Sequence, residues 1–272
     1  MKRHLVLPRE GRLLVSTDLH GNLRDFRALR TMFLEGRFDH WLVLGDLVHG
    51  PDRAAAEQHP ALYGYPDESP ALIDELTELR AKHRDRVHFV LGNHDAGHLG
   101  HRHTSKFHAD EVTALEARLT EVQLRALRTL CENALLAVVA PCGLLFSHGS
   151  GGDAVDSLAM LDGPLDGPSL GHRQFAIAEL LWCYGQRGEV SARLLSRISA
   201  ETSLDLRVVV HGHDKDEAGW FVEGGNQVQP VIFGAPDENK RCLWLDLAAT
   251  YRSPDDLREG HEVRRLHEVT RA

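Results

Sequence analysis

The stretch VHFVLGNHD, residues 87–95, joins a strand-length apolar run directly to an asparagine, a histidine and an aspartate. This pattern predicts a buried strand that ends in a polar turn. Two earlier stretches have the same form: RLLVSTD, residues 12–18, and HWLVLGD, residues 40–46. Helical patterns over residues 22–36 and 69–83 separate the three runs. Strands and helices that alternate in this way predict a parallel sheet with crossover helices, so the predicted fold class is α/β.

The second half of the chain has a less regular pattern. Its predicted elements are a helix over 109–130, two strands within 134–149, a long glycine- and aspartate-rich loop over 149–171, helices over 172–185 and 189–199, and four mostly antiparallel strands between 207 and 250. Long loops in compact domains are more often functional than idle. The charged residues 251–272 are expected to form a peripheral helix or a frayed end.

The composition excludes several classes of protein. The formal net charge is −9 without any basic block, so a duplex nucleic-acid partner is not expected. The N-terminal apolar run ends at Pro8, too early for a signal peptide or a membrane span, so we expect a soluble, cytoplasmic protein with no membrane partner. The four cysteines form no CxxC pair and are expected to be buried, reduced thiols. The composition does not indicate an oligomeric state.

Polar clusters close five of the predicted strands. They are TDLHGN (17–22), LGDLVHGP (44–51), LGNHDAGH (91–98), FSHGS (146–150) and VHGHD (210–214). Because the carboxyl ends of parallel strands meet in one crevice, at least the first three clusters should lie close together. A single Asp-x-His is usually a surface turn, but five such strand ends in one chain indicate a functional site.

The side chains in these clusters fit a site for two metal ions. Carboxylate oxygen, imidazole nitrogen and amide oxygen are suitable ligands for Mn, Fe or Zn. An all-oxygen site for Mg or Ca would not require so many of the 18 histidines. A shared aspartate can bridge two such ions roughly 3.5–4 Å apart, with a bridging hydroxide available as nucleophile.

The order of these motifs resembles the calcineurin-like metallophosphoesterases, in particular the phosphoprotein phosphatase branch that also holds bacterial diadenosine-tetraphosphate hydrolases. The motifs are Asp18-x-His20-Gly21-Asn22, Gly45-Asp46, Gly92-Asn93-His94-Asp95, His148-Gly149 and Gly212-His213. The resemblance extends from about Leu13 to Leu247 and implies a single-domain, four-layer α/β/β/α sandwich. We assign residues 1–250 to this catalytic domain and residues 251–272 to a tail that packs on it or trails from it.

The resemblance also implies roles for individual residues. The implied metal ligands are Asp18, His20 and Asp46 for the first ion and Asn93, His148 and His213 for the second, with Asp46 bridging the two. His94 would be the general acid that protonates the leaving oxygen, and Asp95 would orient that step or hold the loop. The implied reaction is hydrolysis of a phosphate ester by a metal-bridging hydroxide.

The stretch VVVHGHDKD, residues 208–216, contains two histidines that a strand would point to the same face. General metallophosphoesterases have Gly-His-x-His here and use both histidines. In this chain Val210 precedes His211, whereas Gly212 precedes His213, and the spacing onward from His213 matches the phosphatase branch. His213 is therefore the predicted ligand, and His211 is predicted to lie beside the phosphate or to support a ligand from behind.

The chain departs from the branch at its phosphate-binding arginines. The branch has Gly-Asp-x-Val-Asp-Arg-Gly where this chain has GDLVHGPDR, so His49 replaces both the aspartate and the arginine. The remaining candidates for phosphate binding are His49 itself, Arg53, Arg187 and Arg173. A guanidinium is suited to this task because it can bind two phosphate oxygens at once.

Three functions are compatible with these features. The first is a serine/threonine protein phosphatase, which the GWFVEGG and VIFGAP segments and the 149–171 loop favour. The second is a hydrolase of a small phosphorylated molecule, such as a dinucleoside polyphosphate or a phosphodiester. The third, a non-catalytic metal-binding regulator, is disfavoured because competent residues occupy every implied metal position and position 94.

Overall fold

The structure is a computed structural model that describes residues 1–165 and 171–267. Residues 166–170 of the predicted long loop and the end of the charged tail lie outside the described residues. The strands are β1 (His4–Val6), β2 (Arg12–Ser16), β3 (His40–Leu44), β4 (Val87–Val90), β5 (Ala137–Ala140), β6 (Leu144–Phe146), β7 (Val208–Val210), β8 (Trp220–Glu223), β9 (Gln227–Pro230), β10 (Arg241–Asp246) and β11 (Val263–Arg265). The α-helices are α1 (Leu23–Glu35), α2 (Arg53–Gln58), α3 (Pro60–Tyr63), α4 (Ser69–Lys82), α5 (Asn93–Ala96), α6 (Glu111–Glu116), α7 (Glu121–Glu132), α8 (His172–Trp182) and α9 (Gly188–Thr202).

The three apolar runs of the first half form the parallel part of a five-stranded sheet, as predicted. The strand order is β11-β10-β2-β3-β4. Strands β2, β3 and β4 are parallel because α1 and α4 return the chain to the same edge, whereas β10 is antiparallel to β2 and β11 is antiparallel to β10. The carboxyl ends of β2, β3 and β4 therefore lie side by side.

A second sheet has six strands in the order β1-β5-β6-β7-β9-β8. Strands β5 and β6 are the two strands predicted within 134–149; they are antiparallel and are joined by residues 141–143. The prediction of mostly antiparallel strands beyond residue 207 is correct for the β8–β9 hairpin and for β10. It is wrong for β7, which is parallel to both β6 and β9 because α8 and α9 form a crossover between β6 and β7.

Alternate residues of the central strands face two different cores. Leu13 and Val15 of β2 belong to an apolar cluster with Phe146 and Val210 of the other sheet, so this core lies between the sheets. Leu14 points the other way and packs in a cluster with helical residues. Because side chains alternate across each strand, the two sheets stack face to face with helices outside them. The predicted α/β/β/α sandwich in a single domain is confirmed.

The sequence predictions differ from the structure in two places that bear on the site. The predicted helix over 109–130 is two helices, α6 and α7, because Thr120 begins a new helix by accepting a hydrogen bond from the backbone N–H of Gln123. Residues 251–267 form neither a peripheral helix nor a frayed end, since β11 extends the five-stranded sheet and Val263 is fully buried. The domain boundary at residue 250 stays a prediction.

Two further expectations from composition can be compared with the structure. Cys131, Cys142 and Cys242 are buried free thiols, as predicted, and Cys183 is a half-buried free thiol. Among residues 1–165 and 171–267, the structure has no helix that is both long and apolar enough to cross a membrane.

Candidate metal centre

The polar clusters that follow β2, β3, β4, β6 and β7 meet at one edge of the sandwich. Backbone hydrogen bonds join neighbouring clusters: the N–H of His20 donates to the carbonyl of Asp46 (2.9 Å), and the N–H of Gly212 donates to the carbonyl of His148 (2.8 Å). The two sheets are also connected here, because Nδ1 of His148 lies 2.8 Å from the carbonyl oxygen of Leu44. Residues from distant parts of the sequence therefore form one site.

The ends of β3 and β4 touch at two glycines. A Cβ atom on Gly45 would lie 2.6 Å from Cα of Gly92, and a Cβ on Gly92 would lie 2.2 Å from the backbone nitrogen of Asp46. Behind this contact, the buried carboxylate of Asp95 accepts hydrogen bonds from the backbone N–H groups of Asp46 (2.8 Å), Leu47 (3.0 Å) and Gly92 (3.1 Å). Asp95 thus holds the two loops together, which is the second of its two predicted roles.

Five residues of the site have a left-handed backbone. The structure describes seven non-glycine residues with positive φ, and five belong to this edge: Asp18 (48°), His20 (44°), Asp46 (50°), His49 (68°) and His213 (76°). This conformation costs roughly 1–2 kcal/mol for a residue with a Cβ atom. Strain that persists at several adjacent positions indicates function, because the surrounding structure must hold it in place.

Two groups of metal-ligating side chains share Asp46. One group is His20, Asp46 and His94, and the other is Asp46, His148 and His213; within each group the ligand atoms lie within 4.8 Å of one another. Oδ2 of Asp46 is 3.5 Å from Nε2 of His20, whereas its Oδ1 is 3.5 Å from Nε2 of His148. Each carboxylate oxygen thus faces a different group, as a bridging ligand would.

Asn93 and Asp18 lie beside these groups. Oδ1 of Asn93 is 2.9 Å from Nε2 of His148 and 3.0 Å from Nδ1 of His213. The carboxylate of Asp18 accepts the backbone N–H of His213 at 3.1 and 3.3 Å. Burial, and after it the charge of Asp46, raise the pKa of Asp18 well above its usual value. Two neighbouring buried carboxylates would both be stabilised by a cation between them.

The protonation of two histidines supports the fit of metal ions. Nδ1 of His20 lies 3.1 Å from the carbonyl of His49, and Nδ1 of His148 lies 2.8 Å from the carbonyl of Leu44. Because a carbonyl only accepts, each Nδ1 donates a hydrogen bond, and Nε2 of each ring faces Asp46. A metal-bound histidine typically uses one ring nitrogen for the ion and the other for such a hydrogen bond, so these residues fit a bound metal ion.

A third group of possible ligand side chains is already paired with a lysine. Asp25, Asp237 and His267 lie close together, but Nζ of Lys240 is 2.7 Å from the carboxylate of Asp25 and 2.9 Å from that of Asp237. The buried ammonium neutralises this group, so it does not need a metal ion.

His94 faces the shared aspartate with one nitrogen and a buried carboxylate with the other. Its Nε2 is 3.9 Å from Oδ2 of Asp46, and its Nδ1 is 3.2 Å from Oε2 of Glu111. Nδ1 of His94 is also 3.1 Å from Oγ1 of Thr104 and 3.2 Å from Nδ1 of His49. Burial acts to raise the pKa of Glu111, but the hydrogen bond and charge of His94 outweigh it and lower that pKa to about 2. Glu111 is therefore a carboxylate.

Sequence reasoning did not identify Glu111 or Thr104. They belong to no motif, and Glu111 stands at the start of α6, where an acidic residue is common for helix stability alone. The one related signal was that position 49 lacks the aspartate that, in the resembled branch, steadies the catalytic histidine.

The three predicted arginines have different surroundings, and their role in phosphate binding stays a prediction. Arg53 lies on α2, is 92% exposed and pairs with Glu57 four residues later. Arg173 donates to the carbonyls of Met160 and Leu161. Arg187 is exposed at the start of α9 and forms no ion pair with any residue in 1–165 or 171–267.

The two other predicted phosphate neighbours are buried histidines. Nδ1 of His49 lies next to His94, and its Nε2 is 3.1 Å from Nε2 of His98; burial, then His94 and His98, lower the pKa of His49 to about 3. His211 is fully buried, and burial lowers its pKa to about 3. An imidazole with a pKa this low is neutral at physiological pH and adds no positive charge, and the predicted roles of His49 and His211 stay predictions.

Two stacked sheets and two ligand groups that share one aspartate are features of a class of metal-dependent hydrolases. The chain belongs to the calcineurin-like phosphoesterase family, whose model matches residues 11–216. No curated protein sequence matches the chain. Among solved structures it is similar to a protein serine/threonine phosphatase from Saccharomyces cerevisiae, with 18% identity, a TM-score of 0.56 and coverage of 89% of this chain and 76% of that one. A mutant cold-active protein tyrosine phosphatase is similar at 13% identity and a TM-score of 0.54, over 93% of this chain and 82% of that one. These two likenesses show the fold.

Replacing Asp46 by Asn should weaken both metal sites, because Asp46 is common to both ligand groups. We expect manganese content, measured by mass spectrometry after desalting, to fall from about two ions per chain to below one. Asp237→Asn is the matched control, since Lys240 neutralises that carboxylate, and it should retain the wild-type content. An Asp46→Asn protein that keeps both ions would contradict the bridging assignment.

Proposed function

We propose that this chain is a metal-dependent phosphomonoesterase that acts as a serine/threonine protein phosphatase does. The observation that carries the proposal is the pair of ligand groups that share Asp46, one of which includes His94, a residue that Glu111 contacts from the other side. The ligands we propose are Asp18, His20 and Asp46 for one ion and Asn93, His148 and His213 for the other. Mn, Fe and Zn suit this mixture of imidazole and oxygen ligands.

The ions, when bound, supply Lewis-acid stabilisation of phosphoryl oxygens and activation of a water molecule. The protein's part is to place these charges rigidly. Asp95 fixes the two loops that carry Asp46 and Asn93, and the carbonyls behind His20 and His148 fix their rings. Preorganised charge of this kind lowers a reaction barrier because little rearrangement is needed during the reaction.

His94 delivers the proton to the leaving oxygen in this proposal. Its Nε2 faces the metal edge, and its Nδ1 faces Glu111. A carboxylate that accepts from Nδ1 stabilises the imidazolium and leaves the Nε2–H free for donation. Glu111, on α6, thus orients His94 in place of the aspartate that position 49 lacks. Thr104 also contacts Nδ1 of His94.

The support around His94 favours an alkyl phosphate as substrate. The alkoxide of serine or threonine is a poor leaving group and needs a proton, whereas a phosphoanhydride or an aryl ester departs more easily without one. Two side chains, Glu111 and Thr104, contact Nδ1 of His94. Both similar structures above are named protein phosphatases, but the likeness extends to fold only, so the substrate is argued from the site. The alternative substrate is a small phosphorylated molecule.

A panel of substrates tests this function. Manganese-loaded protein should release p-nitrophenol from p-nitrophenyl phosphate and phosphate from a phosphoserine peptide, with little action on bis(p-nitrophenyl) phosphate or diadenosine tetraphosphate. Preference for the diester or the tetraphosphate would contradict the phosphomonoesterase and favour the small-molecule alternative. No turnover of any substrate with both ions bound would indicate a non-catalytic metal-binding protein.

Replacing His94 by Asn should lower kcat by roughly 10²–10⁴-fold, as loss of a general acid does, and should leave metal content unchanged. The decrease should be larger for a phosphoserine peptide than for p-nitrophenyl phosphate, because nitrophenolate leaves without a proton. Loss of an ion in this variant would instead make His94 a ligand, in agreement with its place in the group with His20 and Asp46.

Replacing Glu111 by Gln should lower kcat about 10- to 100-fold with little change in KM, because the amide cannot stabilise the imidazolium. The effect should again be larger on the phosphoserine peptide. Glu116→Gln is the matched control, since this residue of the same helix contacts His98 and Arg128 rather than His94. In the His94→Asn background, Glu111→Gln should cause no further loss; an additive loss would show that Glu111 acts independently of His94.

A further inference from the structure

Two lysine ammonium groups lie against an aromatic ring next to the proposed metal centre. The ring of Phe233 packs against the ring of His20, with 3.9 Å between their centroids. Nζ of Lys106 lies 4.0 Å from the centroid of Phe233, and Nζ of Lys215 lies 5.2 Å from it. Both ammonium groups therefore lie against a ring that itself packs on the proposed ligand His20. Neither lysine belongs to a motif of the family.

The loops that build the site also position these two lysines. The backbone N–H groups of Lys106 and Phe107 donate to Oε1 of Glu111, at 3.1 and 2.8 Å, so the residue that holds His94 also fixes the segment of Lys106. The stem of Lys215 passes against Gly234, where a Cβ atom would lie 2.9 Å from both Cγ and Cδ of the lysine. The position of Lys215 thus depends on a glycine with φ of +84°.

Neither ammonium group is in contact with a carboxylate. Within residues 1–165 and 171–267, neither Lys106 nor Lys215 forms an ion pair. They are close enough to repel each other: burial first, and then the charge of Lys215, lower the pKa of Lys106 to about 6, so both lysines are fully protonated at neutral pH only when an anion lies beside them. The chain has 40 acidic and 31 basic residues, so two adjacent unpaired cations beside its catalytic edge are an unusual arrangement. An anion between them would remove the repulsion.

We propose that Lys106 and Lys215 bind the non-bridging oxygens of the substrate's phosphoryl group, in place of the arginine that the chain lacks next to position 49. This inference rests on the phosphoesterase function proposed above and defines its substrate further. A phosphate monoester carries close to two negative charges at neutral pH and matches two ammonium groups. A phosphodiester carries one charge and a second substituent, so the pair selects monoesters.

The direct test is binding of inorganic phosphate to the manganese-loaded protein, measured by calorimetry. Lys106→Met and Lys215→Met should each weaken binding about tenfold, because each removes a charge-assisted contact with a phosphate oxygen. Lys106→Arg and Lys215→Arg retain the charge and should bind within a few-fold of wild type. Lys82→Met is the control: it removes the same charge from exposed α4, where Lys82 pairs with Glu78, and should not alter binding.

The second measurement is the ratio of kcat/KM for p-nitrophenyl phosphate to that for the bis-aryl diester. The double variant Lys106→Met/Lys215→Met should lower this ratio at least tenfold, with unchanged metal content and thermal unfolding. An unchanged ratio together with phosphate binding within twofold of wild type would overturn the proposal, as would failure of the wild-type protein to bind phosphate. Lysine-dependent phosphate binding without turnover would refute the proposed function alone, and turnover that is indifferent to both lysines would refute this subsite alone.

Discussion

The contact between the ends of β3 and β4 is the constraint on which the site depends. Two strands of a parallel sheet are normally separated at their ends by the side chains of their turns. Here Gly45 and Gly92 remove that separation, and the carboxylate of Asp95 closes the gap by accepting three backbone N–H groups from both turns. Asp46 and Asn93 are consequently brought to within contact distance of the same pair of histidines. The backbone contacts between the two turns therefore set the relative positions of Asp46 and Asn93 without the help of a bound ion.

The remaining chemistry comes from a different part of the chain. The metal-ligating residues follow strands, whose positions the two cores fix. The groups that hold the proton of His94 and provide unpaired positive charge lie mainly in the irregular segment between α5 and α6 and at the start of α6. Glu111 connects the two functions, because one of its oxygens faces His94 while the other accepts backbone N–H groups from the segment of Lys106. One buried carboxylate thus contacts both the proposed proton donor and the segment that carries Lys106.

The sequence was sufficient to predict the sandwich and the edge at which the site forms. Period-two apolar runs and helical spacing are local signals, and the carboxyl ends of parallel strands must converge, so Asp46, Asn93 and His94 could be placed together without coordinates. Glu111, Lys106 and Lys215 could not, because their positions depend on how non-repetitive loops fold back over the site.

The proposed phosphate-binding lysines also could not be found from sequence. Position along the chain favoured Arg53 and Arg187, whose side chains are exposed, whereas Lys106 and Lys215 belong to no motif and lie beside the ring of Phe233. Strand β11 was missed for a similar reason. Its three residues give too short a pattern, and only pairing with β10 makes them a strand.

The left-handed residues of the site have a consequence for the stability of the whole molecule. In soluble proteins glycine usually fills such positions, but here aspartates and histidines fill them because their side chains are needed at the edge. Folding of the ion-free chain must therefore overcome both backbone strain and the crowding of Asp18 and Asp46. Ions that bind only the folded chain would stabilise it against unfolding, and tighter binding would stabilise it more. With the metal ions proposed above, metal supply and the folded fraction would be thermodynamically linked, so that a shortage of metal would reduce the amount of folded protein.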